Sequence, residues 1–318
     1  MRASANNQDE YIMLCRGLER MASLYKAKKN LSFNRKPETS LFKTVRFVMN
    51  NGIKEAVHKY RVHRSGVDRF LPNPESETAE LKTIRPDNYF CDEKIAVYMA
   101  EFGEYDEIME PVIRPDNIDY YLLTDRSVSE NSTWKWLDPS ACIPGEYRKN
   151  PVLANRWCKM HPHVLFPQYR YSVYIDSNTL IVSDFTALIN RMGDYPVSMF
   201  QHKNRDCVYD EIEACLIKKK AARKKLIKHR DLLKAHGVPH QYGLAEATVI
   251  ARRHMEQACI SMMQDWWQAF LSGSGRDQIT LIDVLWRSKI NPSQITVLGS
   301  NLYQCDLFIM MPHHNTGG

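Results

Sequence analysis

At 318 residues, with 44% hydrophobic and 25% charged side chains, the chain fits one large globular domain, or a domain plus an extension, with a substantial buried core. No window reaches the ~20 consecutive apolar residues that a bilayer-spanning helix needs, which excludes a helical membrane span from the reading. The net charge of +6 is uneven: residues 1–70 hold 15 Lys/Arg against 6 Asp/Glu, and the remainder is net acidic, so a basic surface for an anionic partner is expected.

The opening MRASANNQDEYIML is polar and lacks the basic start, apolar stretch and cleavage site of a secretory signal, so a cytoplasmic location is expected, reaching to the inner face of the membrane. Eight cysteines are scattered at 15, 91, 142, 158, 207, 215, 259 and 305. None forms a C-x-x-C pair, so buried free thiols are expected rather than a zinc ribbon or redox motif.

Residues 1–90 read as a basic helical extension and linker. Leu14, Leu18, Met21 and Leu24 recur at helical spacing, as do Val45, Val48 and Met49 within a second helix near 42–60. Residues 71–87, with Pro72, Pro74 and Pro86, read as the linker. The pattern then changes over residues 91–318. Strands are predicted at 94–99 (KIAVYM) and 119–123 (DYYLL). Asn150-Pro151 opens a helix, Asn as N-cap and Pro at the first helical position, with Val152, Leu153, Trp157 and Met160 inward and Arg156, Lys159 and His163 along a polar stripe.

A strand at 171–175 (YSVYI) runs into Asp176-Ser177-Asn178, and 179–182 continues as strand. Residues 197–200 form another strand, followed by Gln201-His202. One long basic helix is predicted over 208–235, a strand over 244–251, helices over 255–271 and 276–287, and a last strand over 295–298. Strands alternating with helices predict an α/β fold, a mixed sheet flanked by helices, with ligands beyond the carboxyl ends of the strands, where Asp125, Asp176 and His202 fall.

The central chemical signal is Tyr174-Ile175-Asp176-Ser177-Asn178, an apolar strand ending in a carboxylate, a hydroxyl and an amide. A hard divalent cation that neutralises a diphosphate takes oxygen ligands, and Asp176 and Asn178 can supply one charged and one neutral oxygen. A plain Asx turn is the structural alternative.

The ordered series KIAVYMAEFGEYDEIMEP, DYYLLTD, RWCKMHPHVLFPQYRYSVYIDSN, FQHKNRDCVYDEIEAC, GLAEATVIARRH and RDQ, covering roughly residues 92–315, resembles a family of glycosyltransferase-like domains of unknown function. That family includes plant mucilage-related, turgor-regulation-defect-like and bacterial polysaccharide-cluster proteins. The resemblance implies a GT-A-like fold and a sugar transferred from a nucleotide diphosphate, UDP by analogy, to a polysaccharide or glycolipid acceptor.

The resemblance also implies a set of site residues. The metal, Mn2+ or Mg2+, falls to Asp176 and Asn178, with His313 of the MPHHN run, or its neighbour His314, as the late third ligand. The loop from Ala100 to Asp106, with Phe102, Gly103 and Tyr105, cradles the nucleotide, and Asp125 faces base or ribose. Arg156 and Lys159 meet the donor phosphates, with Ser177 beside them. His202 and Asp206 follow the next strand near donor sugar or acceptor. Asp277-Gln278 resembles the Asp-Gln element of retaining enzymes, although Asp277 also fits a helix N-cap, and Glu246 is the other carboxylate near a strand.

Nine Lys/Arg between 218 and 234 make a solvated helix face or a contact with anionic membrane or polymer. Three other readings stay open. A nucleic-acid-binding protein lacks any recognisable motif here, so no nucleic acid partner is expected. A metal-dependent hydrolase using the same pocket lacks G-x-S-x-G and H-E-x-x-H. A non-catalytic scaffold domain is the third.

Overall fold

The structure, a computed structural model, describes residues 93–184, 186–305 and 307–311. The helices and linker expected within 1–90, together with Cys15, Cys91, His313 and His314, lie outside the described residues. Six strands form one sheet in the order β3-β2-β1-β4-β7-β6. They are β1 (Ile95–Glu101), β2 (Ile118–Thr124), β3 (Lys135–Leu137), β4 (Tyr171–Ile175), β6 (Val197–Gln201) and β7 (Ala245–Arg252). A separate antiparallel ribbon joins β5 (Thr179–Ile181) to β8 (Phe308–Met310).

β1 pairs in parallel with β2 and β4, and β2 with β3; β7 alone runs antiparallel, between β4 and β6. This is the expected mixed α/β sheet. β1 is buried along its whole length, so its sequence is a continuous apolar run rather than an alternation. Its side chains still divide by face. Ala96, Tyr98 and Ala100 join one core with Trp157, Ile212, Trp266 and Leu281. Ile95, Val97 and Met99 join a second core with Ile175, Leu188, Val249 and Phe308.

The first core is closed by α3 (Pro151–Met160), α6 (Val208–Ile217), α7 (Arg223–Ala235), α8 (Gln257–Ser272) and α9 (Asp277–Arg287). Shorter helices α1 (Pro139–Cys142), α2 (Gly145–Arg148), α4 (Pro162–Leu165) and α5 (Ala187–Asn190) fill the connections. The six described cysteines are free thiols, and Cys158, Cys207, Cys215, Cys259 and Cys305 are buried. No helix among the described residues is long and apolar enough to cross a membrane.

Three of the predicted elements come out differently, and β3, β8 and the short helices α1, α2, α4 and α5 were not foreseen. The basic stretch 208–235 is two helices, not one. α6 closes when Lys219 turns left-handed at φ 52°, and the Lys220 and Lys219 N–H groups donate to the Cys215 and Leu216 carbonyls at 2.9 and 3.4 Å. That is a Schellman stop, and three consecutive lysines give a propensity scale nothing by which to foresee it. The strand expected at 295–298 is absent as well. The Asn291 side chain and Pro292 draw the chain into a 3-10 turn (Pro292–Gln294), after which it meets β6 at isolated points, around the irregularity between Met199 and Phe200 and again where Gln201 N–H donates to Gly299 O at 2.8 Å. There Met199 N–H donates to Ile295 O at 2.7 Å and Leu298 N–H to Met199 O at 3.1 Å, enough to cover the edge but not to extend a ladder. Finally, the run expected as strand over 179–182 is strand over Thr179–Ile181, in the β5–β8 ribbon rather than in the main sheet.

The passage from α8 into α9 aims the N-terminus of α9, and it depends on Gly273. A Cβ there would stand 2.5 Å from the Ala269 carbonyl oxygen and 2.7 Å from Thr280 Cγ2. Gly273→Ala is expected to destabilise the fold by about 1–3 kcal/mol, the usual cost of overpacking. Urea unfolding measures it, and an unchanged midpoint would contradict the tight passage.

Candidate functional site

The C-terminal ends of the parallel strands β1, β2, β4 and β6 share one sheet edge, and antiparallel β7 begins there. Asp176 N–H donates to Thr248 O at 2.9 Å, and His202 N–H to Leu244 O at 2.8 Å. The topology therefore gathers the Gly103 loop, Asp125, Asp176, His202 and Glu246 along one rim, the usual place for ligands in such sheets.

An ionic cluster occupies the middle of the rim. The Asn150 side chain accepts from Val152 and Leu153 N–H at 3.0 and 3.2 Å, with Pro151 at the first position, so α3 starts as its sequence signals. Three residues apart on α3, Arg156 and Lys159 converge on one oxygen. Arg156 Nε lies 3.0 Å and Lys159 Nζ 2.9 Å from Asp277 Oδ2, and Lys159 also reaches Asp176 Oδ1 at 3.5 Å.

The expected polar stripe is not what α3 carries. The Lys159 side chain is 1% exposed and belongs to the interior, while His163 lies beyond the helix end, in α4. Val152 points outward, not inward. Asp277 is not an N-cap either: Arg276 takes that place, and Asp277 is the first residue of α9. Burial alone would raise the Asp277 carboxyl, but Arg156, Lys159 and Arg276 hold it well below the usual carboxylate range.

Asp176 is more open. Tyr174 Oη–H donates to its Oδ1 at 2.9 Å, and Oδ2 has no protein donor among the described residues. Asn178 Nδ2 donates to Met311 O at 3.0 Å, and Met311 N–H to Asn178 O at 2.8 Å, which leaves the Asn178 amide oxygen facing elsewhere. His313 follows Met311 by two residues and lies outside the described residues. Among the described residues, no three His, Cys, Asp or Glu side chains converge as a metal shell. Asp176 supplies one uncommitted carboxylate oxygen here, and two oxygens from Asp176 and Asn178 would by themselves fall short of the six or more that a hard divalent cation takes.

The loop after β1 is tied down at several points. Ser177 Oγ–H donates to Asp106 Oδ2 at 2.6 Å, and Asn155 Nδ2 donates to Ala100 O at 2.6 Å. Tyr105 N–H donates to Glu101 Oε1 at 2.7 Å, and Arg126 bridges the Glu101 carboxylate and Asp106 O. Gly103 N–H donates to Asp125 at 3.2 and 3.3 Å, so Asp125, expected to face base or ribose, anchors the loop after β1. Gly103 has φ +75°, and a Cβ on it would stand 3.1 Å from Pro151 Cγ, so a side chain there would be both strained and crowded. Phe102 is buried and Tyr105 half exposed.

A second cluster lies at the β6–β7 end. Gln278 Nε2 and Thr248 Oγ1–H both donate to Glu246 Oε1, at 2.8 and 3.1 Å. Glu246 Oε2 lies 3.9 Å from His202 Nε2, which is also 3.8 Å from Glu211 Oε2. His202 Nδ1 accepts from Asn204 and Arg205 N–H at 3.3 and 3.1 Å, which assigns the ring proton to Nε2. Glu211 is paired with Arg205 at 2.6 Å. Burial pushes Glu246 up to about 7, and burial lowers His202 to about 4. Asp206 stands at the exposed margin, where its carbonyl accepts Gly243 N–H at 2.8 Å.

Glu211, Arg205 and Thr248 escaped the sequence reading. Glu211 sits in an ordinary acidic first turn of α6 beside Asp210, and nothing in the local pattern singles it out.

The two titrations run in opposite directions. Between pH 4.5 and about 7 folded Glu246 keeps a proton that the unfolded chain has lost, so its contribution to stability falls as pH rises, by about 3 kcal/mol in all. Between pH about 4 and 6.5 folded His202 lacks a proton that the unfolded chain holds, so its contribution rises. Glu246→Gln removes only the falling limb. The variant should gain stability relative to the parent as pH goes from 5 to 8, measured by urea midpoints. Parallel curves would refute the raised carboxyl.

The family model for the TOD1/MUCI70 glycosyltransferase-like domain matches residues 145–313, more than half of the chain. No curated protein matches. Among solved structures, the apo form of the bifunctional glycosyltransferase WbbM is similar at 12% identity and a TM-score of 0.38. The match covers 64% of this chain and 39% of that one. With the rim residues Arg156, Asp176, His202, Glu246 and Asp277 all inside the matched segment, the chain belongs to the TOD1/MUCI70 glycosyltransferase-like family.

Proposed function

We propose that this chain transfers a sugar from a nucleoside diphosphate donor, a UDP-sugar by preference, to a glycan or glycolipid acceptor. The observation that carries the reading is the sharing of one rim by an open carboxylate, Asp176, a cation-lined Asp277 and a carboxyl that titrates near neutrality, Glu246. Fold and charge alone would serve many reactions; these three environments suit group transfer from a polyanionic donor.

Asp176 Oδ2 and the Asn178 amide oxygen would hold Mn2+ or Mg2+, with His313 as the further ligand, and the cation would offset the charge on the departing diphosphate. Arg156 stands at the mouth of the ionic cluster, with 23% of its side chain exposed, and is the cation placed to meet a donor phosphate. Lys159 is buried and bridges Asp277 to Asp176, so it positions those carboxylates rather than the donor.

Asp277 is too strongly stabilised as an anion to take a proton and instead fixes the electrostatics of the site. Glu246 is matched in proton affinity to neutral pH and is the group to accept a proton from an acceptor hydroxyl, with Gln278 and Thr248 orienting it. Along α7, Leu226, His229 and Leu233 face inward, while Arg223, Lys224, Lys225, Lys228 and Lys234 are exposed. That basic face would meet an anionic membrane or polymer at the cytoplasmic side.

The test is a thermal-shift panel of nucleoside diphosphates and nucleotide sugars, with and without Mn2+, followed by mass spectrometry of products with and without acceptor. A Mn2+-dependent upward shift is expected, of order 2–3 kcal/mol at ligand a hundredfold above Kd. Asp176→Ala should lose the shift and the turnover while its own midpoint stays within a few degrees. Full turnover by that variant would remove Asp176 from the site, and hydrolysis unaffected by any acceptor would favour a hydrolase.

A further inference from the structure

Trp136 lies outside both the Asp277 cluster and the Glu246 cluster. It lies on the edge strand β3, opposite Leu122 of β2, and is 51% exposed. Two residues earlier, just before the strand, Trp134 is buried edge-on against Tyr120, with its indole N–H donated to Met109 O at 2.9 Å. The core therefore accounts for Trp134 and leaves Trp136 in water.

Trp136 is nonetheless held in place. Its Nε1–H donates to Thr124 O at 3.2 Å, at the very end of β2. Thr124 precedes Asp125, whose carboxylate holds Gly103 N–H at the mouth of the β1 loop. A broad aromatic face is thus fixed on the rim, beside the loop and on the far side of Asp125 from Asp176. Three interstrand spacings separate β3 from β4, about 14 Å, which leaves room along the rim for a ribose and a diphosphate between the indole and Asp176.

We propose that Trp136 is the stacking platform for the base of the nucleoside diphosphate. This deepens the donor reading above and rests on it. Stacking on an aromatic face serves any base, because each has a π-face. Trp136 therefore supplies affinity, while the choice among bases lies with groups that read base edges.

The experiment is calorimetric titration of the full chain with three probes in Mn2+: uridine diphosphate, guanosine diphosphate and inorganic pyrophosphate. Trp136→Ala is expected to weaken both nucleotides about tenfold or more, by similar factors, and to leave pyrophosphate affinity unchanged. The unchanged pyrophosphate also reports that the variant is folded. Trp136→Phe should keep most of the nucleotide affinity and lose the quenching of tryptophan fluorescence that the nucleotides cause in the parent chain. Nucleotide affinity unchanged in Trp136→Ala would overturn the platform and leave the donor reading standing. A parent chain that binds neither pyrophosphate nor nucleotide would overturn both.

Discussion

The carboxylate of Asp277 holds the site together. It is nearly dry, with a side chain 6% exposed, and it is tolerable there because Arg156 and Lys159 both reach one of its oxygens, with Arg276 adding its charge. Those contacts tie the start of α9 to α3, and Lys159 carries the tie onward to Asp176 at the end of β4. Removing one partner of such a group leaves an uncompensated buried charge, a loss of about 3–5 kcal/mol in typical cases. The position of Asp176 on the rim therefore depends on an ion pair formed by residues more than a hundred positions apart.

α3 is held at its far end by an equally unexpected device. Arg252, fully buried at the end of β7, donates to Lys159 O at 2.6 Å and to the Tyr98 hydroxyl at 2.7 Å, and Tyr98 donates to Cys158 O at 3.1 Å. The guanidinium meets the negative end of the helix and satisfies carbonyls that the helix cannot satisfy itself. Asn150 sets where α3 begins and Arg252 sets where its last turn lies, so the depth of Arg156 and Lys159 beneath the rim follows from both.

Along this rim two carboxylates are tuned in opposite directions by their surroundings. Asp277 is crowded by cations and stays ionised. Glu246 is as deeply buried, but its neighbours are an amide, a hydroxyl and a neutral imidazole, and it holds its proton up to about 7. Gln278 follows Asp277 in sequence and bonds to Glu246, so one turn of α9 orients both groups.

Much of this was legible in the chain itself. The apolar runs of β1, β2, β4, β6 and β7 mark strands because burial on both faces leaves little choice of residue, and Asn150-Pro151 marks a helix start because capping is local chemistry. The Asp176-Ser177-Asn178 step and the place of Asp125 and His202 at strand ends follow from the same local signals. What only the tertiary structure decided is which charges meet. Helical spacing put Arg156, Lys159 and His163 on one polar stripe, whereas Lys159 is buried because Asp277 arrives there from the other end of the domain. Glu211 became part of the site only when α6 packed beneath His202, and Arg252 became a helix cap only when β7 ran antiparallel beside β4. Local sequence determines hydrogen bonds that close within a few residues; electrostatic partners are set by packing across the sheet, and no periodicity encodes them.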